Sequence, residues 1–270
     1  MGHPAITLTQ QPHIDAGRMV IVGGVAAGVI AGVHIYQMNG WWKDNRGPFH
    51  FEEDLRYALS VDKVGHFYGA LAGQYLAEKS LLWAGCTQEQ ALWWGAGASL
   101  GFETYIEVLD GFSRGWGFDR VDFAADVGGA LYPVGQHYWP FLRHFTWKMS
   151  YRPSPNLNAP GFVPGQKHLL MDDYEGQTYW LSTSVHSLLP DHLQGLWPEW
   201  LCIAAGYGAR DITGPNPYSV WFIGPDLDMT KIIPQDSPFL VTLAEVLNFI
   251  RLPLPALRIS PTIALHGVYF

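Results

Sequence analysis

Charge is scarce in this sequence. Only 15% of its 270 residues are Asp, Glu, Lys or Arg, against roughly 25% in ordinary soluble domains. The chain is short of solvating surface. What charge there is leans to one sign, a net −8, with no run of Lys or Arg. That excludes nucleic acid as a partner, because binding it relies on clustered cations that neutralise phosphates. Cysteine is scarcer still. Cys86 and Cys202 lie far apart and make neither a disulfide framework nor a metal-binding pattern, so two buried thiols are expected. Gly-x-Ser-x-Gly, His-Glu-x-x-His and Walker patterns are missing, and no internal repeat is visible.

What the chain has is apolar and aromatic material: 48% hydrophobic residues, with 12 Trp and 13 Tyr. Amphipathic rings suit the bilayer interface. Mean hydropathy is only just positive, so much of the chain must be wet. From Met19 to Tyr36 the sequence reads MVIVGGVAAGVIAGVHIY, with His34 its one ionisable residue. Eighteen residues come to about 27 Å of helix, just enough for a hydrocarbon core. Gly24, Gly28 and Gly32 fall four apart and share a helix face that lets another helix approach closely. The segment reads as an uncleaved transmembrane helix. A secretory signal peptide is the competing reading. Flanking Lys and Arg show no bias that sets an orientation.

The fold expected is mainly α: a membrane-associated helical bundle with one N-terminal transmembrane helix, followed by an irregular α+β C-terminal region. Three parts are expected. Residues 1–42 form a tail and the transmembrane helix. Residues 43–150 form the bundle, and residues 151–270 an irregular domain. In the second part a short amphipathic helix begins near Glu52. Apolar helices follow at about Asp62 to Ala84, Gln88 to Leu109 and Asp119 to Tyr138, rich in Gly, Ala and aromatics and embedded at least in part. A Pro/Gly/Asn-rich stretch after Tyr151 breaks regular structure. Beyond it are expected a helix or strand from Thr178 to Leu189, an apolar run from Trp200 to Tyr207, a strand from Ser219 to Ile223, a helix from Pro238 to Ile250 and a last strand from Leu257 to Phe270.

The chemistry-bearing residues sit at helix ends. Asp62 and His66 share a face at the start of one helix, Glu103 and Glu107 a face near the end of the next, and Asp122 and Asp126 a face at the start of the third. In an antiparallel bundle these three regions meet at one end. Three readings compete for them. One is a buried polar network that fixes helix register, with Lys63 or Arg120 paired to the acids. Another is a divalent-metal site on His66, Glu103, Asp122 and Asp126. The third is acid–base chemistry by Asp62, His66, Glu103 and Asp126, with His66 carrying the proton. The acidic run Asp172-Asp173-Tyr174-Glu175 reads as a solvated turn, and Gly206-Tyr-Gly208 as a turn or close packing.

Three stretches, SVDKVGHFYGALAG, GFETYIEVLDGFS and GFDRVDFAADVGGAL, resemble the YfiM-like family of uncharacterised bacterial predicted lipoproteins. That family is in turn similar to VanZ-like membrane proteins, which share the order Asp-Lys-x-x-His, Glu, Asp. The resemblance implies Asp62, Lys63, His66, Glu103, Asp122 and Asp126 as family positions and a place in the bacterial cell envelope. It brings no established activity. The chain departs from those relatives in having no lipobox cysteine beside its N-terminal helix. The expectation is an envelope membrane protein, at the inner membrane in preference to the outer membrane or periplasmic face. Its leading role is a structural or accessory subunit packing on a membrane partner. Membrane lipid is one partner, with a larger complex or a homo-oligomer as another. The alternative is an enzyme or metal-dependent protein acting on a lipid-linked envelope substrate. No cofactor is assigned.

Overall fold

The structure, a computed structural model, describes residues 13–155, 157, 171–212 and 214–270. Helix α1, Ala16–Asn39, starts where the Asp15 carboxylate accepts from the Arg18 backbone N–H and stops at Gly40. Among the described residues it is the one helix long and apolar enough to cross a bilayer. Its middle stands clear of the other described residues, among which a Cβ on Gly24, Gly28 or Gly32 would meet nothing within 4 Å. Its ends are tied. The Asp15 N–H donates to Ala84 O at 2.9 Å and the Arg18 guanidinium to Trp83 O at 2.9 Å. At the far end Trp42 Nε1 donates to Asp110 Oδ1 at 2.5 Å.

Three long helices follow: α2 (Val61–Trp83), α3 (Gln88–Asp110) and α4 (Arg120–Tyr138). Local signals set their ends. A capping box between Thr87 and Gln90 opens α3, and the Asp119 carboxylate caps α4 at the Val121 N–H. The helices pack on small residues. A Cβ on Gly129 would lie 2.0 Å from Phe67 O, and one on Gly95 3.0 Å from the Glu78 N, so glycine is what lets α4 and α3 close on α2. Ser99 Oγ donates across the α2–α3 contact to Ala70 O at 2.7 Å.

The segment before α2 corrects one expectation. In place of an amphipathic helix at Glu52 there is a short strand β1 (Phe51–Glu52), which pairs in parallel with β2 (Phe118–Asp119). Ala58, Leu59 and Ser60 then adopt left-handed φ of 46°, 54° and 64°, an unfavourable run for residues with a Cβ. Surrounding contacts hold it. Ser60 Oγ donates to Leu55 O at 2.6 Å, and the Tyr207 hydroxyl donates to Leu59 O.

The second correction concerns the fold class. The chain is not a mainly-α bundle with an irregular tail. Six strands form one antiparallel meander in the order β3-β4-β5-β6-β7-β8: β3 (Phe145–Tyr151), β4 (Gln177–Thr183), β5 (Leu201–Arg210), β6 (Tyr218–Leu227), β7 (Leu254–Ser260) and β8 (Ala264–Tyr269). Two one-turn helices, α5 (Val185–Leu188) and α6 (Asp191–Gln194), link β4 to β5, and α7 (Pro238–Leu247) links β6 to β7. The reason is nonlocal. Strand pairing follows contacts between distant segments more than local propensity, and Gly- and Ala-rich stretches such as β5 carry little strand signal of their own. Among the described residues α2, α3 and α4 do not combine the length and apolarity needed to cross a bilayer, as α1 does.

The sheet curls around Arg251. That guanidinium stacks 3.9 Å from the Trp180 ring centre on β4 and donates to Tyr269 O on β8 and to Pro225 O and Pro255 O on β6 and β7. The outer side of β4 and β5 seats the bundle through Tyr179 and Ala209 against Val61, with Tyr68, Met149 and Tyr174 around them. Farther along, Lys79 and Tyr75 of α2 both reach Glu245 of α7, at 2.8 and 2.9 Å.

Candidate functional site

The α2 N-terminus, the α3 C-terminus and the α4 N-terminus meet at one end of the bundle. Asp62, His66, Glu107, Asp122 and Asp126 converge there. All four carboxylates are buried, and Asp126 is fully so. His66 sits between two acidic pairs. Its Nε2 lies 3.8 Å from both Asp62 Oδ1 and Asp122 Oδ2. Its Nδ1 lies 3.1 Å from Asp126 Oδ1 and 3.8 Å from Glu107 Oε1. Glu103, one turn back on α3, makes no ion pair with His66 among the described residues. Its Oε1 would meet a Cβ on Gly69 at 3.6 Å, in the α2–α3 contact.

Lys63 organises the Nε2 side. Its ammonium donates to Asp119 Oδ2 at 2.9 Å and to Asp62 Oδ2 and Asp122 Oδ2 at 3.0 Å. Tyr174 Oη donates to Asp62 Oδ1 at 2.8 Å, so the acidic run expected as a solvated turn supplies a buried side chain to the site. The Asp119 N–H donates to Glu107 Oε2 at 3.1 Å. Lys63 was foreseeable as one member of a paired network. Tyr174 was not, because nothing local in the sequence ties it to α2.

The electrostatics are lopsided. Two cations, Lys63 and His66, face five carboxylates: Asp62, Glu107, Asp119, Asp122 and Asp126. Burial pulls the His66 imidazolium down, but the hydrogen bond to Asp126 and the charges of Asp62 and Asp122 outweigh it and hold the ring protonated well above its ordinary range. Burial likewise opposes the Lys63 charge, and the Asp62 and Asp122 carboxylates override it. The acids show the excess. Burial pushes Glu107 up to about 8 against the pull of His66. It pushes Asp122 up to about 7, also against His66, and Glu103 to about 7 with Asp126 adding to the rise. Asp119 is the contrast. Burial would raise it, but hydrogen bonds from Lys63 and from the Val121 and Asp54 N–H groups hold it below the usual carboxylate range.

Two carboxylate oxygens of the cluster, Asp122 Oδ1 and Asp126 Oδ2, are buried with no hydrogen-bond partner among the described residues. Buried polar atoms are normally paired, so such orphans call for an explanation. The cluster is also not sealed. Asp62, Lys63, His66, Glu107 and Asp122 line a cavity of about 460 Å³ whose wall includes Trp41, Arg114 and Trp116. His66 Nδ1, Glu107 and Asp126 present ligand atoms within 4.8 Å of one another, as do His66, Asp62 and Asp122.

A helical bundle carrying a buried histidine–carboxylate centre, backed by a curled antiparallel sheet, is the class that fold and site define. Residues 49–134 match the model of a family described as predicted periplasmic lipoprotein (DUF2279), and this stretch contains every residue of the His66 centre except Tyr174. No curated protein and no solved structure matches the chain. The match fits a bacterial envelope protein of unestablished activity.

Proposed function

We propose that this envelope protein holds one divalent cation on the Nδ1 side of His66, with Asp126 and Glu107 as the other ligands. The observation that carries the proposal is the orphaned Asp126 Oδ2, fully buried in an acidic cluster with too few cations. The charge balance selects the side. On the Nε2 face Asp62 and Asp122 already share the Lys63 ammonium. On the Nδ1 face Asp126 and Glu107 have no cation beyond His66 itself among the described residues. Ligand atoms around a tetrahedral zinc lie about 3.3 Å apart, and the Nδ1 separations of 3.1 and 3.8 Å bracket that figure. The cation would replace the proton on Nδ1, which is released, and Asp62 and Asp122 would then orient the Nε2–H, as outer carboxylates orient metal-bound histidines.

A cation held there would act as a Lewis acid on a group entering the cavity, with Glu107 and His66 at the wall. Trp41 and Trp116 in the wall, with ring centres 5.8 Å apart, and Arg114 in the same wall suit a ligand with an apolar part and an anionic head. Trp41 lies two residues beyond the end of α1, near where a bilayer surface falls if α1 spans. A lipid-linked envelope substrate fits both features. The accessory-subunit reading rests on the glycine stripe of α1, which meets nothing within 4 Å among the described residues. The unbalanced charge at His66 favours the cation site. Equilibrium dialysis of the detergent-solubilised chain against zinc or manganese tests it. One tightly held equivalent is expected, lost in His66→Ala and Asp126→Asn. A folded native protein that takes up none contradicts it.

A further inference from the structure

The charges of the six-stranded sheet are one-sided. Every Lys, Arg, Asp and His in its strands falls on one face: Lys148, Arg210, Asp226, Arg258 and His266 share it through the register Lys148↔Trp180, Trp180↔Gly206, Gly206↔Phe222 and Phe222↔Arg258, and its continuation Ala256↔His266. That face is the inside of the curl, where these side chains lie beside the buried apolar cluster of Trp180, Ala204, Val220, Phe222 and Ala256. Lys148 Nζ lies 2.8 Å from Asp226 Oδ2, both almost wholly buried, and Ser182 Oγ donates to the same carboxylate at 2.6 Å.

The outer face of β5 to β8 carries the apolar residues, with no charge among them. Ile203, Trp221, Ile223, Ile259 and Leu265 are 38% to 78% exposed. A soluble sheet with one solvated side alternates the other way, polar outward. Strands that face lipid turn an apolar band outward.

We infer that the outer face of β5 to β8 rests in the acyl layer of a lipid bilayer. Two observations favour lipid over a protein partner. A protein interface carries about one hydrogen bond per 100–200 Å², and this face offers almost nothing to make them. The Tyr207 hydroxyl on it is already committed to Leu59 O. Trp221 and, just before β5, Trp200 are both half-exposed, as rings in an interfacial belt are. The same molecule also carries α1, a helix of bilayer length. The face needs only shallow immersion, one side-chain layer deep, so the free edge of β8 keeps its water.

The test places an environment-sensitive nitrobenzoxadiazole label at Ile223→Cys, Leu265→Cys or the exposed polar control Asp191→Cys, in full-length protein carrying Cys86→Ser and Cys202→Ala. The protein is reconstituted into phosphatidylethanolamine–phosphatidylglycerol vesicles containing doxyl-labelled phosphatidylcholine. Quenching several-fold stronger at residues 223 and 265 than at residue 191 is expected. Equal quenching at all three positions overturns the inference, because anchoring by α1 alone gives that result. A blue-shifted signal at 223 and 265 that needs no lipid and grows with protein concentration also overturns it, and assigns the face to a second copy of the chain.

Discussion

Lys63→Met removes a charge and keeps most of the aliphatic stem. In the native protein the ammonium lies 2.9 to 3.0 Å from carboxylates of Asp62, Asp119 and Asp122, with a side chain only 10% exposed. The variant leaves three acids facing one another with His66 as their nearest cation. Removing one partner of a buried ion pair costs about 3–5 kcal/mol. For a chain of this size each kcal/mol moves the midpoint by about 2–4 °C, so thermal unfolding in mild detergent, followed by tryptophan emission, is expected to fall by about 10 °C at pH 8. The sign of the pH dependence follows. Asp119, held low by Lys63, contributes stability above the unfolded carboxylate pKa of about 3.9, and that contribution is lost in the variant. The variant's acids relieve their repulsion by binding protons, so its deficit is largest at pH 8 and shrinks toward pH 5. Lys63→Met combined with Asp122→Asn should recover part of the loss. A midpoint within the scatter of the native protein at pH 8 would refute the charge account of this cluster.

Lys148→Met should destabilise by a similar amount, about 3–5 kcal/mol, because the buried Asp226 loses the ammonium 2.8 Å from its carboxylate and keeps the Ser182 hydrogen bond and the more distant Arg251 charge. Adding Asp226→Leu should restore most of that loss, and a denaturant midpoint series reads both. Gly129→Ala forces a Cβ to within 2.0 Å of Phe67 O and should weaken the α2–α4 contact by about 1–3 kcal/mol, as overpacking does. Gly28→Ala meets nothing and should leave the midpoint unchanged or raise it slightly through helix propensity. Equal losses from the two glycine substitutions would contradict the packing described here.

Much of the bundle was legible because its signals are local. The ends of α2, α3 and α4 fall within a residue or so of the positions expected from sequence, where Thr87, Asp119 and the loop from Asp110 to Gly117 mark them. The sheet was legible only in pieces. The strand expected from Ser219 to Ile223 lies within β6, but β5 is half glycine and alanine and carries little strand signal. Gly206 and Gly208, read as a turn or close packing, lie inside that strand, and Gly206 packs directly against the Trp180 ring. The segment from Leu257 to Phe270 read as one strand, where Pro261 and Thr262 turn it into the hairpin of β7 and β8. At the site, helical spacing and antiparallel order were enough to gather Asp62, His66, Glu107, Asp122 and Asp126 at one end. Spacing could not say which of two glutamates one turn apart would reach the histidine. The structure sets Glu107 beside it, with Glu103 a turn away. Nor could it show that Lys63 satisfies one side of the ring and leaves the other side without a cation.

The central claim is the cation on the Nδ1 side of His66. Anomalous diffraction at the zinc edge, from crystals grown with zinc, tests it most directly. The account predicts one strong peak about 2.0–2.2 Å from His66 Nδ1 and from carboxylate oxygens of Asp126 and Glu107, with Lys63 still paired to Asp62 and Asp122. A peak on the Nε2 side that displaces Lys63, or zinc only at exposed residues while His66 keeps its proton bond to Asp126, would contradict it.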